Sequence, residues 1–97
     1  MTTRHFTISP DHPALPGHFP GRPVVPGVVL LDQVITAARR AFALTPATVL
    51  PRAKFAAPVL PGERVDVALI RLDVARIGFT CTVEGHTVAT GELRFAA

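Results

Sequence analysis

The chain of 97 residues lacks several features that would assign it to a specialised class of protein. Its single cysteine, Cys81, excludes a framework of disulfide bonds and a zinc site built on cysteines. No apolar run reaches the roughly 18 residues of a membrane span, and the first residues contain no apolar signal region. We therefore expect one cytoplasmic domain over residues 1–97, with no membrane partner.

Tyrosine and tryptophan are absent as well, and basic residues are scattered. The net charge is +3, nine of the ten basic residues are arginine, and the longest basic run is the pair Arg39 and Arg40. Nucleic-acid-binding proteins commonly combine basic stretches with aromatic residues that stack on bases. We expect no nucleic-acid partner, and an acidic protein fits the charge at least as well.

Apolar residues, by contrast, are abundant, at 48% of the chain against 18% charged residues. This composition excludes a disordered chain. A chain of this length buries only roughly 60–65% of its extended surface on folding. We therefore expect a second subunit to cover part of the apolar surface.

Six of the ten prolines lie within the 17 residues 10–26. Neither a helix nor an interior strand tolerates this density. Because apolar residues alternate with the prolines, we interpret the segment as a rigid, ordered loop, and long ordered loops often carry function. The six prolines are Pro10, Pro13, Pro16, Pro20, Pro23 and Pro26.

Residues 28–43 contain no proline or glycine, and their apolar residues recur at helical spacing. This pattern predicts one helix that is apolar around most of its circumference and largely buried. Its apolar stripe consists of Val28, Leu31, Ile35, Ala38 and Phe42, and its remaining face of Asp32, Thr36 and Arg39.

The rest of the chain alternates in polarity as strands do. Pro51 interrupts the second predicted strand, residues 58–62 form a turn, and residues 84–86 form a tight hairpin turn. One helix and five strands indicate an α+β domain, an antiparallel sheet around one long helix. The predicted strands are residues 3–9, 48–57, 64–73, 77–84 and 87–95.

The segment that carries chemistry spans residues 17–33. It places His18 on the proline-stiffened loop, Asp32 early in the helix, and Pro26 and Gly27 at the junction, where free N–H groups begin the helix. Removal of a proton next to a carbonyl requires a base, an acid and such a backbone donor.

Residues 18–23 (HFPGRP), residues 25–27 (VPG) and an acidic residue 14 positions after the histidine closely resemble the FabA/FabZ-type 3-hydroxyacyl-acyl-carrier-protein dehydratases. Residues 54–63 (KFAAPVLPGE) resemble a second motif of that family. The chain looks most like the short single-domain members associated with aryl-polyene and related polyketide-type biosynthesis.

The resemblance implies a hotdog fold, a curved antiparallel sheet wrapped around one helix, in a homodimer or higher homo-oligomer with active sites at the interface. It implies that His18 of one subunit is the base and Asp32 of the other is the acid. By the same resemblance, the Gly27 N–H binds the thioester oxygen, and the Val24 carbonyl orients the imidazole.

The implied reaction is dehydration of a 3-hydroxyacyl thioester to a trans-2-enoyl thioester in fatty-acid or polyketide-type biosynthesis. The substrate would arrive on the phosphopantetheine arm of an acyl carrier protein, so the enzyme needs no cofactor and no metal. Basic residues that could dock this acidic carrier, or simply keep the chain soluble, are Arg22, Arg52, Lys54, Arg64 and Arg76.

Other interpretations of the same residues stay open. His18 could pack against prolines, and Asp32 could be an ordinary helix carboxylate paired with Arg39 or Thr36. The chain could be a hotdog thioesterase, which also uses a helix carboxylate and a helix-start N–H, or a non-catalytic partner subunit of a synthase.

The remaining candidates have simpler explanations. The spacing of Asp11, His12 and His18 matches no standard metal site. His5 and His86 are expected to be solvated, and Cys81 to be a small core residue.

Overall fold

The computed structural model describes residues 1–12, 24–43 and 48–96. One helix and five antiparallel strands form a single sheet in the order β1-β3-β4-β5-β2. The prediction of an α+β domain with one long helix is confirmed. The elements are β1 (Thr2–Thr7), α1 (Gly27–Phe42), β2 (Thr48–Phe55), β3 (Arg64–Asp73), β4 (Arg76–Val83) and β5 (His86–Ala96).

The helix α1 has sequence-encoded ends. It begins at Gly27, directly after Pro26 in extended conformation, and ends where Ala43 turns into the left-handed region with φ 49°. The Ala43 N–H donates to the Arg39 carbonyl and so satisfies one of the orphan acceptors of the last turn. Arg39 and Arg40 complement the negative end of the helix dipole.

The prediction of a largely buried helix with Val28 in its apolar stripe is wrong for the single chain. The sheet covers α1 from one side only, and Val28 stays 67% exposed. Because apolar residues lie almost all the way round this helix, the sequence pattern does not identify which arc faces the sheet. The buried residues of α1 are Val29, Leu30, Val34 and Ala38.

The core lies between this arc of α1 and the inner face of the curved sheet. Alternation along β4 is as predicted, because Ile77, Phe79, Cys81 and Val83 are all buried. No polar or charged residue is buried in the described part of the chain. The same ranges contain no helix long and apolar enough to cross a membrane.

The expectation that Pro51 interrupts its strand is wrong. β2 runs through Pro51, which pairs with Leu93 of β5. β2 is an edge strand with only β5 beside it. On the open side of an edge strand no neighbouring strand needs a backbone N–H, so a proline, which lacks one, is tolerated there. The sequence alone does not show that this strand is at an edge.

A two-residue turn joins β4 to β5. Glu84 and Gly85 have φ values of 49° and 81°, the combination of a type I′ turn, while Val83 and His86 already pair across the hairpin. The predicted turn is therefore confirmed, but His86 belongs to β5. Strand β3 has the predicted bounds, and the other strands differ from the prediction by one or two residues at one or both ends.

Replacing Gly91 by alanine is expected to destabilise the fold. The new Cβ would overlap the Arg52 carbonyl oxygen and lie 2.8 Å from Phe79 Cζ. Because the backbone oxygen cannot move without disturbing the pairing of β2 with β5, we expect the free energy of unfolding to fall by about 2–3 kcal/mol in urea denaturation.

Gly78→Ala is the matched control for that measurement. It is also a mid-strand glycine, but its new Cβ would approach only side-chain atoms of Ile70 and Leu72, the nearest at 3.2 Å. These half-exposed side chains can turn away. An equal loss of stability in the two variants would contradict the backbone overlap as the cause.

Cys81 is expected to be unreactive in the folded protein. Burial raises the pKa of its thiol from 9.0 to about 12, so the thiolate that attacks a disulfide reagent is scarce. At pH 8, dithionitrobenzoate should label the native chain slowly and the urea-unfolded chain rapidly. Fast labelling of the native chain would show that the strand face is open.

The same shift has a consequence for stability at alkaline pH. The unfolded thiol loses its proton near pH 9.0 and the folded thiol near pH 12, so the folded state holds the proton over that interval. The free energy of unfolding should therefore fall as pH rises from about 9 to 12. The part of this fall due to the thiol should be missing in Cys81→Ala.

Candidate functional site

An open pocket of about 560 Å³ lies where the start of α1 meets the end of β2. One wall is formed by the segment that enters the helix, and the other by the end of β2 and the residues after it. The walls contain residues 25–27 of the first motif and residues 55–59 of the second, which are far apart along the chain. The lining residues are Val24, Val25, Pro26, Gly27, Leu30, Phe55, Ala56, Ala57, Pro58 and Val59.

The helix start supplies polar groups to this apolar pocket. The N–H groups of Val29 and Leu30 both donate to the Pro26 carbonyl, at 3.0 and 3.2 Å. Within the described residues, the N–H groups of Gly27 and Val28 have no backbone acceptor outside the helix, and Pro26 provides no side-chain cap. Free N–H groups at the positive end of a helix favour an oxygen that carries negative charge.

Gly27 is in close contact with Phe55. A Cβ at Gly27 would lie 2.9 Å from Cζ of the Phe55 ring, so the absence of a side chain lets the ring cover the helix start. The φ of Gly27 is not in the left-handed region. A glycine is therefore needed at this position because of limited space. Any side chain here would force the Phe55 ring to move.

The second wall is held by backbone hydrogen bonds. The Val88 carbonyl accepts from the N–H groups of Ala56 and Ala57, at 2.8 and 3.3 Å, and the Val59 carbonyl accepts from the Val25 N–H at 2.8 Å. Val88 is the extra residue of β5 at a register shift opposite Cys81 and Thr82. This bulge frees a carbonyl for the pocket wall.

The predicted base and its neighbours are only partly within the described residues. His18 and Arg22, and most of the proline-rich loop, lie outside them. Val24, predicted to orient the imidazole, is half-buried and lines the pocket beside Gly27.

Asp32 lies away from the pocket of its own chain. Its side chain is exposed, on the same face of α1 as Val28 and Thr36. The single chain therefore presents this carboxylate outward.

Three of the predicted docking residues share the outer face of the sheet. Arg52 and Lys54 alternate along β2 with the inward Ala53 and Phe55, and Arg76 precedes the buried Ile77. Arg94, which was not among the predicted docking residues, pairs with Arg76 across β4 and β5. Arg52, Arg76 and Arg94 line an open groove of about 390 Å³.

The groove is only partly neutralised by carboxylates. The Arg76 Nε lies 3.0 Å from Asp73 Oδ2 and 3.1 Å from Glu92 Oε1. Both contacts are ion pairs, and neither has the geometry of a hydrogen bond. Arg52 and Arg94 have no carboxylate within ion-pair distance in the described residues. The face therefore carries an excess of positive charge.

Arg64 does not belong to this group. It begins β3, at the opposite end of the sheet from Arg76, and its Nε lies 3.1 Å from Asp66 Oδ1. The Arg64 and Asp66 side chains are 65% and 38% exposed, so solvent screens this ion pair and it contributes little to stability.

The remaining candidates behave as surface or core residues. His5 and His86 are exposed, as predicted, and Cys81 is fully buried. Among the residues that the structure describes, no group of three His, Cys, Asp or Glu side chains could hold a metal ion.

Comparison with known proteins places this geometry in a family. The family model described as ApeI-like, ApeI dehydratase, matches residues 1–92. The 3-hydroxyacyl-acyl-carrier-protein dehydratase FabZ of Myxococcus xanthus is 33% identical over 104 residues, which cover 93% of this chain and 68% of that protein. The FabZ of Clostridium perfringens is also 33% identical, over 92% of this chain and 73% of its own length.

Solved structures share the fold. The dehydratase heterocomplex ApeI:P from Xenorhabdus doucetiae aligns with TM-score 0.78 and 22% identity, over 98% of this chain and 86% of that chain. A protein from Erwinia carotovora subsp. atroseptica aligns with TM-score 0.80 and 27% identity, over 97% and 81%. The fluoroacetyl-CoA-specific thioesterase FlK aligns with TM-score 0.71 and 20% identity, over 99% and 88%. The helix, the curved sheet and the two motif segments at one pocket thus agree with the comparisons, and the chain belongs to the ApeI-like family of dehydratases and has the hotdog fold.

Proposed function

We propose that the chain dehydrates 3-hydroxyacyl thioesters carried by an acyl carrier protein, giving trans-2-enoyl thioesters. The observation that carries the proposal is the pocket whose walls contain residues 25–27 of the first dehydratase-like motif, at the helix start, and residues 55–59 of the second. The apolar lining suits an acyl chain, and the free N–H groups of the helix start suit a thioester oxygen. Fatty-acid synthesis or a polyketide or aryl-polyene type of pathway would use this reaction.

In the proposed mechanism, His18 removes a proton from C2 of the substrate. The negative charge that develops on the thioester oxygen is stabilised by the Gly27 N–H. Asp32 of the other subunit donates a proton to the 3-hydroxyl, which leaves as water while the C2–C3 double bond forms. The Val24 carbonyl holds the imidazole in the required tautomer, and transfer of the proton from His18 back to Asp32 through solvent completes the cycle.

The exposure of Asp32 supports its action in a second subunit. The carboxylate lies on a helix face that the sheet leaves uncovered, beside Val28, which is 67% exposed. Phe55 and Leu60, both 48% exposed, flank the pocket region. We propose that a homodimer covers these apolar side chains and brings Asp32 to the partner's pocket.

Two alternatives have specific support. Thioesterases are among the structures with this fold, and a helix carboxylate with a helix-start N–H also suits thioester hydrolysis. The heterocomplex of Xenorhabdus doucetiae contains two different chains, which suits a partner subunit. Neither alternative accounts for the His18 loop as directly as dehydration does.

No cofactor and no metal enter the proposed chemistry, because the proton transfers need only His18, Asp32 and the Gly27 N–H. The phosphopantetheine arm belongs to the carrier protein. The excess positive charge around Arg52, Arg76 and Arg94 supports docking of that acidic carrier on the outer face of the sheet.

An activity assay tests the proposed reaction itself. Wild-type protein mixed with 3-hydroxyacyl thioesters of several chain lengths should increase enoyl absorbance without releasing free thiol. His18→Ala and Asp32→Asn should each lower kcat by about 100-fold or more, because each removes one proton-transfer group. Thiol release without enoyl product would identify a thioesterase, and neither product would favour a non-catalytic partner subunit.

Mixing the two inactive variants tests the shared site within the same assay. A mixed dimer of His18→Ala and Asp32→Asn subunits regains one intact site, so activity should partly return after the subunits exchange. The matched control is each variant mixed with itself. No recovery, in a mixture shown to contain mixed dimers, would contradict the placement of Asp32 in the partner's pocket.

A charge reversal tests docking of the carrier. Arg52→Glu should raise KM for the carrier-bound substrate by about tenfold at low salt and leave kcat unchanged, because rim charges act mainly on association. KM for a short pantetheine thioester should not change.

Arg4→Glu provides the control for Arg52→Glu. Arg4 is exposed on β1, the opposite edge strand, and its replacement changes the net charge equally. If both variants raise KM to the same extent, the effect is one of total charge, and docking on the outer-face groove is wrong.

A further inference from the structure

A tight turn after the second motif segment is closed by a side chain. The Glu63 N–H donates to the Leu60 carbonyl at 3.2 Å, and Gly62 has φ +88°, which with Pro61 before it gives a type II turn. The Glu63 carboxylate closes the same turn from the other side, because its Oε1 accepts the Leu60 N–H at 2.7 Å. Leu60 and Glu63 are thus joined by two hydrogen bonds.

This turn holds two parts of the chain that are distant in sequence. The Gly62 N–H donates to the Ile8 carbonyl at 2.9 Å, and the Val59 carbonyl accepts from the Val25 N–H at 2.8 Å. Ile8 directly follows β1, and Val25 is two residues before the start of α1. One turn therefore fixes the exit of β1 relative to the entry of the helix.

The hydrogen bond between Val25 and Val59 is shielded from water. The bond between Gly62 and Ile8 is shielded on the side of its acceptor, because Gly62 itself is exposed. Ile8, Val25 and Val59 are 2%, 6% and 3% exposed, so solvent competes weakly for these backbone groups. The Glu63 carboxylate, in contrast, lies at the surface and does not line the pocket. Its effect on the pocket must therefore pass through the turn.

We propose that Glu63 is a positioning residue that, by closing the Leu60–Glu63 turn, fixes the helix start at Gly27 relative to the end of β1. The effect of this residue on catalysis rests on the proposed function. In sequence, the segment that carries His18 lies between the two anchored points, Ile8 and Val25. The Glu63 carboxylate touches no reacting atom. It sets where the Gly27 N–H stands when the substrate is bound.

An ordinary role for Glu63 in charge balance is less consistent with its contacts. Its neighbour Arg64 pairs with Asp66, and no ion pair of Glu63 occurs in the described residues. The carboxylate is used as a hydrogen-bond acceptor. A glutamine can replace that acceptor without the charge, which separates the two roles.

The test compares Glu63→Ala and Glu63→Gln with wild type. Glu63→Ala should lower kcat by about tenfold with KM within about twofold, since misplaced catalytic groups slow the reaction more than they weaken binding. Glu63→Gln should restore kcat to within about threefold of wild type, because the amide oxygen accepts the same N–H. The control is Glu84→Ala, an exposed glutamate in the β4–β5 turn, which should leave kcat unchanged.

Hydrogen exchange gives a readout that does not depend on activity. In Glu63→Ala the Val25 and Gly62 amides should exchange about tenfold faster, while amides of β4 keep their protection. Unchanged exchange at Val25 and Gly62, or faster exchange throughout β4, would overturn the proposal, as would a kcat equal to wild type in an active enzyme. If wild type forms no enoyl product, the dehydratase proposal fails, and exchange at these two amides alone decides whether Glu63 holds the helix start.

Discussion

The hydrogen bond from the Val25 N–H to the Val59 carbonyl joins the two halves of the chain at the pocket. On one side of it the helix begins, with N–H groups that have no backbone acceptor outside the helix among the described residues. On the other side run the end of β2 and the turn that leads into β3. Since both residues are buried, the bond is protected from water, and the geometry of the candidate site depends on it. A shift at this contact would move Gly27 away from Phe55 and open the wall between them.

The types of the secondary-structure elements could be predicted from the sequence because their signals are local. Pro26 and Gly27 mark the helix start, alternation marks β3 and β4, and Glu84 with Gly85 marks a hairpin. The two failures are non-local. Whether Pro51 breaks a strand depends on which strands lie beside it, and whether Val28 is buried depends on how far the sheet reaches around the helix.

The candidate site also has one part that could be predicted from the sequence and another that depends on the fold. Motif segments predicted which stretches of chain form the pocket, since the resemblance covers both of its walls. Charge clusters are harder to predict from the sequence. Arg94 approaches Arg76 only through the register of β4 with β5. Arg64 lies away from both because it is at the far end of β3. Glu63 stands within a recognised motif, but its acceptor role becomes visible only in the turn.

The strand order has a consequence for how the molecule assembles. The three central strands, β3, β4 and β5, come from one continuous stretch of chain, Arg64 to Ala96, and short turns connect them. Such a meander has low contact order and can form early in folding. The helix and both edge strands come from the preceding residues and must close longer loops onto that platform. The pocket is assembled from these other pieces, so we expect the candidate site to form in the last docking steps, after the central sheet.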